Sequence, residues 1–291
     1  MQEPALRRSD LRTKTVLAVI LVVIGVAVVT LVARKTVQTS VSETSGSESA
    51  AAGPTMPVLV ELFTSEGCSS CPPADALLTR LDQNQPVPGA EVIALSEHVD
   101  YWNRLGWSDP YSLSDFSERQ SQYSNVFQLD DVYTPQMIVD GRVQFVGSND
   151  AEARRAIADA ARKEKTSVTM SLASENAQAR TITLEIRVES LSKVITSGDA
   201  DVMLAITESG LRSNVTRGEN AGRVLNHIAV VRRLSTIGTI FSQKDLAFTA
   251  EPVVQIGKAW KRENLKAVAF VQERASRRVL GVSALPLANL Q

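Results

Sequence analysis

The chain's only two cysteines stand three positions apart in Cys68-Ser69-Ser70-Cys71 and run straight into Pro72-Pro73. Two adjacent prolines fit a helix only in its first turn, where backbone N–H groups lack intrahelical partners anyway. Ahead of them lies an apolar run, Val58-Leu59-Val60-Glu61-Leu62-Phe63, and then Thr64-Ser65-Glu66-Gly67. Behind them Ala74, Leu77, Leu78 and Leu81 recur at helical spacing. The segment therefore reads as a buried strand, a turn and a helix, with both thiols at the helix N-terminus. There the macrodipole favours a thiolate, and CxxC thiols so placed have pKa values of roughly 3.5 to 7.5 instead of about 8.5. Cys68, nearer the open end, is the expected nucleophile, and Cys71 the group that resolves its mixed disulfide.

Other uses of the pair are weaker. As a structural staple a four-residue ring contributes only about 2 kcal/mol in the loop-entropy account, against about 4.7 for a 100-residue loop. Tetrahedral zinc needs two further ligands, and the chain offers no other cysteine and only His98 and His227. Soft thiolates do select copper(I), so a cuprous site of Cys68, Cys71 and His98 stands as a rival; no cofactor is otherwise implied.

Downstream, Glu91-Val92-Ile93-Ala94-Leu95-Ser96 reads as a second strand, parallel to the first, ending in Glu97-His98-Val99-Asp100-Tyr101-Trp102. Functional groups of open α/β sheets gather at the carboxyl ends of strands, which would place His98 and Trp102 on the rim that carries Cys68. His98 there is a candidate proton carrier or a loop histidine tied to backbone. Tyr101, Trp102, Trp107 and Tyr111 read as a substrate-facing wall or a packed lid. A helix around Phe116 to Tyr123 follows, then Thr134-Pro135 before the apolar run at 136–139, and Asp140-Gly141 marks a hairpin into 142–146. Asn149 or Asp150 caps an Ala-rich helix.

From Thr166 the apolar period changes to two, in Val168, Met170 and Leu172 and again in Ile182, Leu184, Ile186 and Val188. Further runs at 201–207, 225–234, 239–248, 267–272 and 278–284 make about seven strands, enough for a small sandwich. His227 falls inside one run and reads as a strand-face histidine, and Gly218-Glu219-Asn220-Ala221-Gly222-Arg223 as a surface turn.

At the other end, 19 uncharged residues from Thr15 to Ala33 would span about 28 Å as a helix, a bilayer's hydrocarbon thickness. Arg7, Arg8, Arg12 and Lys14 precede this run and Arg34 and Lys35 follow, so the heavier basic flank favours a cytoplasmic N-terminus. Residues 1–14 are then cytoplasmic, 15–33 a transmembrane anchor of the inner membrane, and 34–56, rich in Ser, Thr, Glu and Gly, a flexible linker. The rest lies in the periplasm; a cleaved signal, releasing a secreted protein, is the alternative. Net charge is -1 overall, with the acidic groups concentrated in 57–150 and a basic excess in 151–291, so no general basic surplus exists to bind nucleic acid.

Element order, the placement of Cys68-Ser69-Ser70-Cys71 and Thr134-Pro135 resemble the thioredoxin fold. The strings Val60-Glu61-Leu62-Phe63-Thr64-Ser65-Glu66-Gly67-Cys68-Ser69-Ser70-Cys71-Pro72-Pro73, His98-Val99-Asp100-Tyr101-Trp102 and Tyr133-Thr134-Pro135-Gln136-Met137 resemble the bacterial secreted thioredoxin-like family known as domain of unknown function 1223. That resemblance implies a cis bond at Pro135 beside the dithiol, a strand acid near Glu61 as proton acceptor for Cys71, and a site opened by Gly67 where thioredoxins carry tryptophan. The expected architecture is an α/β thioredoxin-like domain over 57–165, an antiparallel β-sandwich-like domain over 166–291, and one N-terminal transmembrane helix. The expected function is a membrane-anchored thiol–disulfide oxidoreductase acting on protein or small-molecule thiols and disulfides, with a separate redox partner. A copper(I) carrier and a non-catalytic binding module are the alternatives.

Overall fold

The computed structural model describes residues 55–191, 194, 198–241 and 247–288. The expected cytoplasmic N-terminus, the anchor at 15–33 and most of the linker lie outside the described residues. Among the described residues no helix is long and apolar enough to cross a membrane.

Strand β1 (Met56–Thr64) is buried on both faces, as its unbroken apolar run demands. It passes through the cysteine turn into α1 (Pro72–Asn84), whose inner face is Ala74, Leu77, Leu78 and Leu81. β2 (Ala90–His98) pairs parallel to β1 from Met56↔Ala90 to Thr64↔His98. After α2 (Ser114–Phe127), β3 (Gln136–Val139) lies antiparallel to β1 and turns into β4 (Val143–Val146). Asp140 and Gly141 both take left-handed φ, 50° and 62°, the pair of values a two-residue hairpin turn requires. A Cβ at Gly141 would collide with the Arg277 carbonyl, so only glycine lets this turn dock on the far end of the chain. α3 (Asp150–Ala161) is capped by the Asn149 side chain, which accepts from Glu152 N at 3.2 Å.

The remaining strands are β5 (Val168–Asn176), β6 (Thr181–Val188), β7 (Ala200–Glu208), β8 (Leu211–Asn214), β9 (Val224–His227), β10 (Val230–Ile240), β11 (Phe248–Ala250), β12 (Val253–Gln255), β13 (Leu265–Glu273) and β14 (Val279–Pro286). Their pairing overturns the expected fold class. One eight-stranded mixed sheet runs β14-β13-β7-β10-β2-β1-β3-β4, so strands from both halves form a single layer. The chain is mostly β, with three α-helices among the described residues, and it is not an α/β thioredoxin-like domain followed by a separate sandwich.

The physical cause lies at the free edge of β2. Residues 225–234 do not form one strand, because Ala229 takes φ 49° and breaks the run into β9 and β10. β10 then joins β2 through Val230↔Ser96, with Ser96 N donating to Ala229 O at 2.8 Å. An unpaired edge carries a row of unsatisfied backbone groups, and β10 covers it from within the chain.

Three apolar clusters follow. α1 and α3 pack on Val58, Val60 and Leu62 of one sheet face. Farther along, the small sheet β11-β6-β12, with β5 on β6, packs on β7, β13 and β14. The opposite face joins Leu59, Phe63, Ile93 and Leu95 to Val268, Phe270 and Val282 beneath Phe116 and Tyr123 of α2. That last cluster belongs to neither half alone.

Candidate functional site

β1 delivers the chain to a turn in which Cys68 N donates to Ser65 O and Gly67 N donates to the Ser65 hydroxyl at 3.1 Å. Cys71 sits at the N-cap position of α1, its carbonyl accepting from Ala74 N and Asp75 N. The two sulfurs form a disulfide, with Cα atoms 5.5 Å apart. Cys68 Sγ lies 3.3 Å from Ser70 Oγ and 3.9 Å from the Thr134 carbonyl, and the Thr134–Pro135 bond is cis.

Two close approaches hold this arrangement. A Cβ at Gly147 would stand 2.7 Å from Leu62 Cδ1, 3.2 Å from Ala74 Cβ and 3.3 Å from Pro135 Cβ, so glycine lets Pro135 settle against β1 and α1. Trp102 donates its indole N–H to Thr134 Oγ1 at 2.8 Å, and its Cβ lies 3.0 Å from where a Gly67 side chain would begin. Gly67 therefore does not open the site; it admits Trp102, which buttresses the cis-proline loop.

Both cysteines have 0% of their surface exposed, whereas Ser69 and Ser70 between them are exposed. The connection between β8 and β9, the glycine-bearing stretch that reads in sequence as a plain surface turn, is bonded to the backbone of the cysteine turn. Asn220 Nδ2 donates to the carbonyls of Glu66 and Cys68 at 2.8 and 2.9 Å, and Ser69 N donates to the Glu219 carboxylate at 2.9 Å.

Beside the disulfide turn lies a buried cluster of acids and histidines. His98, at the end of β2, shares a hydrogen bond of 2.7 Å between its Nδ1 and Asp109 Oδ2, which also accepts from Glu66 N. His227 of β9 pairs its Nε2 with Glu66 Oε1 at 3.0 Å, and Trp107 donates to Glu66 Oε2 at 2.8 Å. The two imidazoles meet edge to face with centroids 4.9 Å apart, and the Tyr111 ring lies 5.6 Å from each. Burial alone would depress the His98 pKa, but the Asp109 carboxylate, with Asp75 and Glu66 behind it, holds it above the ordinary histidine value. Burial likewise pushes Asp109 up, and His98 with the N–H groups of Glu66 and Tyr111 brings it below the usual carboxylate range. Asp75 accepts from Thr64 Oγ1 at 2.8 Å, and burial raises its pKa against the pull of His227 and His98.

The structure thus brings Cys68, Cys71, Thr134, Pro135, Trp102 and His98 to one end of the β1–β2 pair. It does not bring Glu61. Alternation along β1 puts Glu61 on the face of Leu59 and Phe63, while α1 packs on the face of Val60 and Leu62. Glu61 is instead bound by Arg119, at 2.5 Å, and by the Tyr123 hydroxyl, also 2.5 Å, so it is no proton acceptor for Cys71. Glu97, 3.4 Å from Arg119, shares this buried network, and burial pushes it up to about 8 against the guanidinium's pull. Trp107 is bonded to Glu66, and the Tyr111 ring packs on the two histidines.

His227, Asp109, Glu66, Asp75 and Asn220 escape sequence reasoning. His227 lies 129 positions beyond His98 in sequence and faces it only because β9 folds back over the cysteine turn. Among the described residues no group of three or more His, Cys, Asp or Glu side chains is arranged to hold a metal ion. Cys68 and Cys71 are joined in a disulfide and offer no thiolate in this state, so the cuprous site is not carried further.

Among solved structures, the chain is similar to a protein of Agrobacterium tumefaciens at 27% identity and a TM-score of 0.60, over 81% of this chain and 96% of that one. It is similar in fold to HBP35 of Porphyromonas gingivalis, at 13% identity and a TM-score of 0.60, over 82% and 77% of the two chains. No curated protein matches the sequence. The family model described as a protein of unknown function, DUF1223, matches residues 59–272, and the chain belongs to that family.

Proposed function

We propose that the protein is a thiol–disulfide oxidoreductase working outside the cytoplasm, where a disulfide persists. One observation carries this reading: the Cys68–Cys71 disulfide lies at the head of α1 with Cys68 Sγ 3.9 Å from the carbonyl preceding cis-Pro135. The likeness to thioredoxin-like enzymes is kept for this local site and not for the fold. A substrate thiolate attacks Cys68 Sγ, forming a mixed disulfide and breaking the Cys68–Cys71 bond, whose electron pair passes to Cys71 Sγ and takes up a proton. A second substrate thiolate then attacks the substrate sulfur and releases Cys68 as thiolate. The substrate is oxidised by two electrons and the protein reduced; the reverse sequence reduces a disulfide. The apolar run at 15–33 delivers the chain to the membrane, retained or cleaved.

The test is a trap. Oxidising the Cys71→Ser protein with a peptide disulfide should leave a stable adduct on Cys68, absent from Cys68→Ser. No adduct on Cys71→Ser under any condition in which it is folded refutes the reading. The 0% exposure of both cysteines favours a second reading, a binding module with an inert buried disulfide, and an empty trap selects it.

A further inference from the structure

Resting on that reading, we propose that the β8–β9 hairpin tip, residues 218–222, is the specificity-determining cover of Cys68, and that the partner that displaces it is an extended polypeptide carrying the reacting thiol. The tip is bonded within itself and to its own stem: Ala221 N donates to Gly218 O, Gly222 N to Val215 O and Arg223 N to Asn220 O. Its polar attachments to the cysteine turn are the two hydrogen bonds from the Asn220 carboxamide and those that the Glu219 carboxylate accepts from Ser69, from its N–H and from its side chain. The stem is held separately, by His227 on Glu66 at 3.0 Å. A Cβ on Gly218 would stand 3.1 Å from Trp107 Cβ, so the tip also rests on the 105–107 loop; lifting it as a unit breaks that contact and the bonds above while the stem stays in place.

The cover is also imperfect. Asn220 is fully buried, yet its Oδ1 has no hydrogen-bond partner among the described residues. A buried acceptor left unpaired opposes closure, so part of what the two N–H bonds contribute is offset in the closed state. Lifting the tip uncovers the carbonyls of Glu66 and Cys68 and the N–H of Ser69. Two acceptors and a donor on the 66–67 and 68–69 peptide units are groups that another extended backbone recognises, and a small thiol without amide groups cannot match all three at once. The Asn220 and Glu219 side chains occupy those positions until a substrate backbone takes them.

The test uses the oxidised full-length protein. The rate of Cys68–Cys71 reduction by dithiothreitol should rise about tenfold in Asn220→Ala, which removes both bonds to buried carbonyls, and less in Glu219→Ala, whose bonds are exposed. The disulfide-linked dimer of an acetylated and amidated Gly-Ala-Cys-Ala-Gly peptide should form its adduct with Cys71→Ser, the second peptide leaving as thiolate, several-fold faster than the dimer of the same peptide N-methylated on the residues flanking cysteine. Unchanged dithiothreitol rates in both folded variants overturn the cover. Should Asn220→Ala fail to fold, Glu219→Ala, altered at an exposed position, decides alone. Equal rates for the two peptides overturn recognition through backbone. Either failure alongside a filled Cys71→Ser trap leaves the redox reading standing; an empty trap with every probe removes that reading instead.

Discussion

Asp109→Asn isolates the ion pair beside the dithiol. The Asp109 carboxylate accepts at one oxygen from Glu66 N at 2.8 Å and from His98 Nδ1 at 2.7 Å, and at the other from Tyr111 N at 2.9 Å. Asparagine presents an NH2 group to one of these sets, so a donor faces buried donors whichever way the amide turns. Loss of a buried charged partner costs about 3 to 5 kcal/mol. The pH dependence fixes the sign. His98 is raised above 6.5 in the fold, so its contribution is fully present below pH 6.5 and is lost as pH climbs through the folded value. Asp109 is lowered below 3.8, so its contribution is present above pH 3.8 and is lost as pH falls through its folded value. The deficit of Asp109→Asn should therefore be greatest between these two values and shrink as His98 loses its proton. Urea unfolding of the two proteins at intervals from about pH 4.5 to 9 measures it, with the titration of Glu97 largely common to both and that of Asp75, which feels both Asp109 and His98, removed by repeating the pair in an Asp75→Asn background. A deficit that is flat or grows with pH, or one under about 1 kcal/mol, refutes the reasoning.

Arg119→Met leaves Glu61 and Glu97 buried without their guanidinium, and should lower stability by about 3 to 5 kcal/mol in urea titrations; adding Glu61→Leu to the same chain should recover part of the loss. Gly147→Ala drives a Cβ into Leu62, Ala74 and Pro135, and should cost about 1 to 3 kcal/mol by thermal unfolding while altering the alkylation rate of reduced Cys68. Glu97, raised to about 8, makes the fold lose stability as pH rises from its unfolded value of 4.5 through about 8, and Glu97→Gln should flatten that limb of the pH–stability curve.

The local elements of the site are legible in the sequence because each is fixed by neighbours a few residues away. Two prolines after Cys71 can start a helix and do little else, an unbroken apolar run is a strand buried on both faces, and Asp140-Gly141 supplies the two left-handed residues of its turn. Glu61 shows the limit of such reading. Its position near the cysteines is plain, but one step in register along β1 decides its face, and that face belongs to Arg119 and Tyr123.

What the sequence alone determined was the sulfur pair, the helix that bears it and the alternation of the later strands. The tertiary structure decided that these strands continue the first sheet, that His227 meets His98, and that Asn220 lies over Cys68. Periodicity records how deeply a strand is buried and says nothing of its neighbour across the sheet. That neighbour was settled by the left-handed kink at Ala229 and the unpaired edge of β2, features whose meaning exists only once distant segments have met.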